Sequence, residues 1–166
     1  MAEALLITRQ DIVKFTSLNG NVDVDNFIQY IKIAQDTDLQ NYTGTKLLDK
    51  IKADIIAGTL TGNYLTLTTV YLKPMLIHLA MKFYLPFAAY TISNKGVYKH
   101  NSENSTNVEK KEIDFLVEKE TQIAQHYTER FINYISYNNN LFPEYNANSN
   151  GDMFPDTNNN FTGWYI

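Results

Sequence analysis

The sequence predicts an all-α fold, a bundle of about five helices, and three observations carry that reading. The first is the stretch Asn63 to Ile92, NYLTLTTVYLKPMLIHLAMKFYLPFAAYTI, the most apolar part of a mildly polar chain. The second is a long amphipathic stripe from Ile113 to Ile135. The third is a pair of shorter helical patterns near the N-terminus, separated by turn-forming residues. A polar extended loop or short hairpin is expected near residues 93–107, and an extended arm at the C-terminal end. On this reading residues 1–137 form the bundle and residues 138–166 the arm.

On a helix, Leu65, Leu72, Leu76, Leu79, Phe83, Phe87 and Tyr90 form one stripe of the apolar stretch. The opposite face is apolar too, with Ile77, Met81 and Leu85, while Lys73, His78 and Lys82 are scattered around the cylinder. A membrane span needs about 20 predominantly apolar residues, and a central cation costs roughly 2.5–3.5 kcal/mol on insertion scales. The cations together with Pro74 and Pro86 oppose a span. A helix at the centre of a bundle is the expectation, with Ile77, Met81 and Leu85 left over for a partner.

The chain has 166 residues and a net charge of −4. One domain is the natural expectation, large enough to bury about 68–70% of its unfolded surface without a disulfide or metal. The absence of cysteine excludes a disulfide scaffold, thiolate metal sites and cysteine catalysis. The start, MAEALLITRQD, lacks the basic and long apolar regions of a signal peptide. No Lys or Arg follows Arg130, so the C-terminal part has no cations with which to hold a nucleic-acid backbone.

In order along the chain, Thr8 caps a first helix with Asp11 in the capping-box position. Ser17 to Asn21 closes it. Asp23 or Asp25 opens a second helix whose face is Val24, Phe27, Ile28, Ile31 and Ala34, running to about Thr37. Asp38 to Thr45 breaks the periodicity. A third helix turns Leu47, Leu48, Ile51 and Ile55 inward and ends at Gly58. In the apolar stretch, Pro74 should either kink a helix or lie in the first turn of one starting near Leu72. Pro86 should bend or end it. Val97 and Tyr98 suit a short strand.

The last helix is capped by Ser105 or Thr106, with Glu109 completing a box. Ile113, Leu116, Val117, Ile123, Ala124, Tyr127, Phe131, Tyr134 and Ile135 form its stripe. Glu120 intrudes there; it could pair with Lys73, Lys82 or His78, although such a Glu more often snorkels to the edge of the stripe. From Asn138 the chain turns Asn-rich, and Phe142-Pro143 and Phe154-Pro155 impose extended backbone at each Phe. Aromatic and apolar anchors recur there: Phe142, Pro143, Tyr145, Met153, Phe154, Pro155, Phe161, Trp164 and Tyr165. A solvating linker does not need them, so a docking arm is expected.

No catalytic motif is present. His78, His100 and His126 share no helical face, and there is no HExxH, phosphate loop or GxSxG pattern. Asp23-x-Asp25 and Asp36-x-Asp38 lack the rest of a calcium loop. A helix-turn-helix drawn over the second and third helices meets Asp49 and Asp54 beside Lys46 and Lys50, which opposes base reading. Neither catalysis nor a metal or cofactor is expected.

The pattern FIQYIKIAQDTDLQNYTGTKLLDKI, Phe27 to Ile51, resembles the start of phage head–tail connector proteins. Ala34-Gln35, Leu39, Gly44 and Leu47-Leu48 take the places of that family's Ala-Gln helix, Leu-then-Gly turn and Leu-rich helix. The likeness continues through Tyr64, Tyr71-x-x-Pro74, Asn94-Lys95-Gly96-Val97 and Phe142-Pro143-Glu144-Tyr145, so it covers most of residues 8–145. It is most similar to the ring proteins of crAss-like phages. The resemblance implies a subunit of a homo-oligomeric, usually twelve-fold ring in the virion neck, assembled in the host cytoplasm. Such a ring binds portal protein on one side and tail or further ring proteins on the other, and DNA passes through it without specific binding. The residues alone also allow a helical adaptor that binds a peptide or regulator.

Overall fold

The computed structural model describes residues 3–18, 24–88, 90–93, 96–99, 110–147 and 152–158. It is an all-α bundle with one two-stranded hairpin, as expected. Helix α1 is Arg9–Phe15, opened by a reciprocal capping box: the Asp11 amide donates to the Thr8 hydroxyl at 3.4 Å and the Thr8 amide to the Asp11 carboxylate at 2.8 Å. Burial alone would raise the Asp11 carboxyl, but the Thr8 amide, the Thr8 hydroxyl and Lys73 together hold it below its usual range.

Helix α2, Val24–Ala34, does not stop near Thr37. It continues through a π-helical turn, Gln35–Leu39, into α3, Gln40–Thr43. The break predicted over Asp38 to Thr45 therefore narrows to Gly44. This residue has φ 72° and ψ 159°, a combination open almost only to glycine. Helix α4, Thr45–Ala57, buries Leu47, Leu48 and Ile51 and ends at Gly58 in the left-handed conformation, the terminus its sequence predicts.

The apolar stretch is helical from Asn63 to Tyr84, in three pieces, while its last residues, Tyr90 to Ile92, lie in a strand and not on the helical stripe where Tyr90 was expected. Helix α5, Gly62–Thr66, passes into a second π turn, Leu67–Leu72, and then into α6, Lys73–Tyr84. Pro74 is the reason for the irregularity. It has no N–H to give, and the Lys73 amide instead reaches back five residues to the Thr68 carbonyl. The widened turn absorbs the proline without ending the helix. Pro86 does end it, in a 3₁₀ turn at Leu85–Phe87. Strands β1, Tyr90–Ser93, and β2, Gly96–Lys99, then pair antiparallel, with Ile92 opposite Val97. The Ser105 or Thr106 cap lies outside the described residues.

Helix α7, Lys110–Tyr137, runs antiparallel to α6, since Tyr71 meets Tyr134 while His78 meets Tyr127. Its 28 residues span about 42 Å at 1.5 Å per residue. A 3₁₀ turn, Asn139–Leu141, and the short helix α8, Pro143–Asn146, close the bundle.

Helix α6 is the centre. Met75, Leu76, Ile77, Leu79, Ala80 and Met81 are all buried. α7 covers one side, α2 the other, and α1 touches it as well. The polar residues scattered on it each meet an acid from a different element. Lys73 reaches Asp11 of α1 at 3.7 Å, Lys82 reaches Asp38 of the first π turn at 2.9 Å, and His78 Nδ1 lies 2.6 Å from Glu120 of α7. Partly exposed pairs of this kind stabilise little, within about 1 kcal/mol each. Their three separate partners orient the central helix among its neighbours.

The expectation that Ile77, Met81 and Leu85 face a partner is corrected. Ile77 is 3% exposed and Met81 1%, and Leu85 packs half-buried against the same core. A helix that is apolar all round is here enclosed by its own chain. The N-terminal segment helps to build that enclosure, with Ala4, Leu6 and Ile7 buried ahead of α1.

Candidate protein-docking surface

The C-terminal segment divides into a part inside the core and a strap across its surface. Phe142 is fully buried, its ring 5.4 Å from Tyr64 and 6.1 Å from Tyr134. Tyr145 is buried with its ring 6.4 Å from Phe131. These two were expected to anchor an arm on another molecule. They anchor it on this one, because the Pro143 turn folds α8 back against α4. Residues 138–147 therefore continue the bundle, and the boundary drawn at residue 137 falls inside its packing.

Electrostatics around α8 follow from that burial. The Tyr64 hydroxyl donates to Glu144 at 2.5 Å. Burial first, and then this bond to a carboxylate, raise the Tyr64 phenol. The Tyr145 hydroxyl is buried with no hydrogen-bond partner among the described residues, and burial with nearby Asp156 pushes it up to about 12. Tyr42 is likewise pushed up to about 12, by burial and by Asp156 and Asp38. Folded phenols that hold their protons above the ordinary value of about 10 contribute stability that is intact below that pH and lost as pH rises toward 12. Alkaline titration followed by circular dichroism should show the bundle unfolding in that window. Tyr145→Phe, which removes a hydroxyl with no partner among the described residues, should be neutral or stabilising by up to about 1 kcal/mol and should soften the alkaline transition.

Beyond Ala147, the described strap at residues 152–158 crosses the junction of α3 and α4. The Thr45 amide donates to the Met153 carbonyl at 3.1 Å, and the Asp156 amide to the Asn41 carbonyl at 2.8 Å. The Met153 amide returns a bond to the Thr45 hydroxyl at 3.0 Å. Pro155 lies against Gly44, so close that a β-carbon there would sit 2.9 Å from the proline ring. Met153 and Pro155 are half-buried. Phe154, between them, is 67% exposed. Phe161, Trp164 and Tyr165 lie outside the described residues.

Gly44→Ala tests this junction twice over. The substitution forces a side chain into a glycine-only backbone conformation, at about 1–3 kcal/mol, and into the proline. Hydrogen exchange at the Met153 and Asp156 amides should accelerate in this variant, and the amides of α6 should be far less affected.

Exposed apolar side chains occur on several elements, and on α7 four of them, Phe115, Leu116, Ile123 and Tyr137, lie along one helix. Leu116 is 45% exposed, Ile123 40% and Tyr137 89%, with exposed Arg130 between them at the same seven-residue spacing. The Arg130 guanidinium lies over the rings of Tyr71 and Tyr127, 5.6 and 5.7 Å from their centroids, and Tyr71 stacks on Tyr134 at 4.1 Å. The stripe read from the sequence is half right. Ala124, Phe131 and Ile135 face inward, and Thr128 and Ile132 join them, while Leu116 and Ile123 lie on its solvent edge. Seven-residue spacing slips by about 20° per repeat on a straight helix, so one long pattern covers both an inner and an outer line. A smaller apolar cleft of about 80 Å³ opens between the N-terminal segment, α1 and α2, lined by Leu5, Ile12, Val13, Leu18, Phe27 and Ile28.

Among the described residues no three His, Asp or Glu side chains converge as metal ligands, and no helix is long and apolar enough to cross a membrane. No curated protein and no solved structure matches the chain. One family model does, over residues 39–155, from the first π turn to the strap, which is well over half the chain. The protein therefore belongs to DUF6712, a family of unknown function.

Proposed function

We propose that this protein is a non-enzymatic ring subunit of a virion neck, placed between portal and tail, where it lengthens the DNA channel and seats the next tail or ring protein. The observation that carries the proposal is the outer line of α7. Leu116, Ile123, Arg130 and Tyr137 recur along more than 20 residues of a rigid helix, flanked by Tyr127 and Tyr134. Exposed aromatic and arginine residues in one patch are the composition of interface cores and hot spots. The resemblance of residues 8–145 to head–tail connectors supplies the class of assembly. A subunit joined to its neighbours through two different faces closes into a ring when the rotation allows, and twelve copies is the expected number. The scarcity of cations in the C-terminal part suits DNA passing without being held.

Native mass measurement of the protein, alone and mixed with portal protein, tests the proposal. A closed oligomer, or a complex with portal, is the expected result. A monomer that does not bind portal sinks it. The cleft between α1 and α2 supports a second reading, a helical adaptor that takes an apolar peptide there. A monomer that binds an amphipathic peptide, and loses it on Ile28→Asp, would favour that reading instead.

A further inference from the structure

In the exposed line of α7, a single charged residue, Arg130, stands between Ile123 and Tyr137. Its guanidinium is held in place. It lies over two tyrosine rings, 5.6 Å from the Tyr71 centroid and 5.7 Å from that of Tyr127, within the range of a cation–π contact. Both rings are fixed in turn. Tyr71 stacks on Tyr134 at 4.1 Å, and Tyr127 stacks on His78 at 5.6 Å, whose Nδ1 lies 2.6 Å from Glu120. The rings attract the charge but offer its N–H donors no carboxylate oxygen. Among the described residues no acid offers one either: Lys32, Lys50, Lys52, Lys73 and Lys82 each reach a carboxylate, and Arg130 reaches none. Three and four residues away on α7 stand His126, Tyr127, Asn133 and Tyr134, and the adjacent Glu129 does not share the arginine's face.

We propose that Arg130 anchors this face to a protein partner by taking a carboxylate that the partner presents between two apolar side chains, which cover Ile123 and Tyr137. The inference rests on the assembly proposed above and names the contact at its centre. A guanidinium is a planar fork that matches a carboxylate with two parallel bonds. One already ordered on aromatic rings loses less freedom when it binds. The exposed apolar residues on either side then exclude water from the pair, the arrangement of an interface hot spot. A nucleic-acid backbone is the poorer match, because it is held by several cations together. The nearest other cation on α7, Lys119, is eleven residues away, about 16 Å along the helix, and Glu129 adjoins the arginine.

The chain holds two arginines, Arg9 and Arg130, so an arginine reagent reads the site directly. Phenylglyoxal is applied to the full-length Arg9→Lys variant, free and assembled with itself or with portal protein, and the adduct is located by mass spectrometry. Protection of Arg130 on assembly is the expected result. Association of Arg130→Ala, Arg130→Lys and Arg130→Glu is then measured by native mass titration. The alanine and lysine variants should each bind at least about tenfold more weakly, since an ammonium does not replace the fork. The glutamate variant should bind more weakly still, because two carboxylates then meet. All three should unfold close to the wild-type temperature, as substitutions of an exposed residue do. Full association of Arg130→Ala, with Arg130 as reactive in the assembly as in the free chain, overturns the inference and leaves the assembly standing. An Arg130→Glu variant no weaker than Arg130→Ala overturns the carboxylate. A DNA duplex bound by the wild type and not by Arg130→Ala gives the fork to phosphate and overturns the protein partner. A wild-type chain that neither self-associates nor binds portal overturns both readings.

Discussion

Phe142→Ala should lower the unfolding free energy by about 3–5 kcal/mol, the usual cost of emptying a buried aromatic site. Phe142 is fully buried, and its ring is wedged between Tyr64 of α5 and Tyr134 of α7. Removing it leaves a void where three elements meet, and α8 loses the residue that pins it down. The Tyr64–Glu144 bond and the Lys46 contact to Ala147 depend on that pin and should weaken with it. Phe142→Leu keeps most of the volume and should cost less. Chemical denaturation of the two variants measures both. A loss below about 1 kcal/mol for the alanine variant, in the range of surface substitutions, would show that the segment after α7 is not part of the core.

Gln35→Ala should cost about 2–4 kcal/mol, although it removes a polar side chain. Gln35 is fully buried in the first π turn, accepting from the Leu6 amide at 2.9 Å and donating to the Ala4 carbonyl at 3.0 Å. It clamps the N-terminal segment to the bundle as a neighbouring strand would. Without it, two buried backbone groups lose their partners, at about 1–3 kcal/mol each, and Leu6 and Ile7 lose their seat. Gln35→Glu sharpens the test. A buried carboxyl is held above its ordinary range, so the variant should keep stability at low pH, where the protonated acid still donates, and lose it as pH rises. Indifference to pH in that variant would mean that the clamp is not closed in solution.

Gln35 also shows what could be read in advance. The Ala-Gln pair stood out in the sequence only through a resemblance to connector proteins. Its physical role, a small residue for close packing beside an amide that mimics a strand edge, appears once Ala4 and Leu6 are brought to it from about thirty residues away. Local devices were legible. The Thr8–Asp11 box, the stops at Gly58 and Pro86, and the inward faces of α4 and α6 follow from contacts within a few residues. The two π turns were not, since the widened helix at Leu67–Leu72 is a compromise between Pro74 and packing on α7. For Glu120 the residues favoured a place at the stripe's edge over a pairing with Lys73, Lys82 or His78, and the antiparallel run of α6 and α7 brought it to His78 instead.

The candidate site changed most. Composition marked Ile77, Met81 and Leu85 as surplus apolar surface and the aromatic arm as something seeking a partner. Counting apolar residues on one helix says how much cover it needs, and says nothing of who provides it. Other elements of the same chain provide it here, α2 and α7 foremost, and α7 also keeps an exposed line. By itself, then, this sequence determined the helical class, the start at Thr8, the stops at Gly58 and Pro86 and the central place of the apolar stretch, because periodicity and capping act over three or four residues. The tertiary structure decided which apolar face stays open and where the arm turns back, because those depend on groups that meet only after the chain has folded.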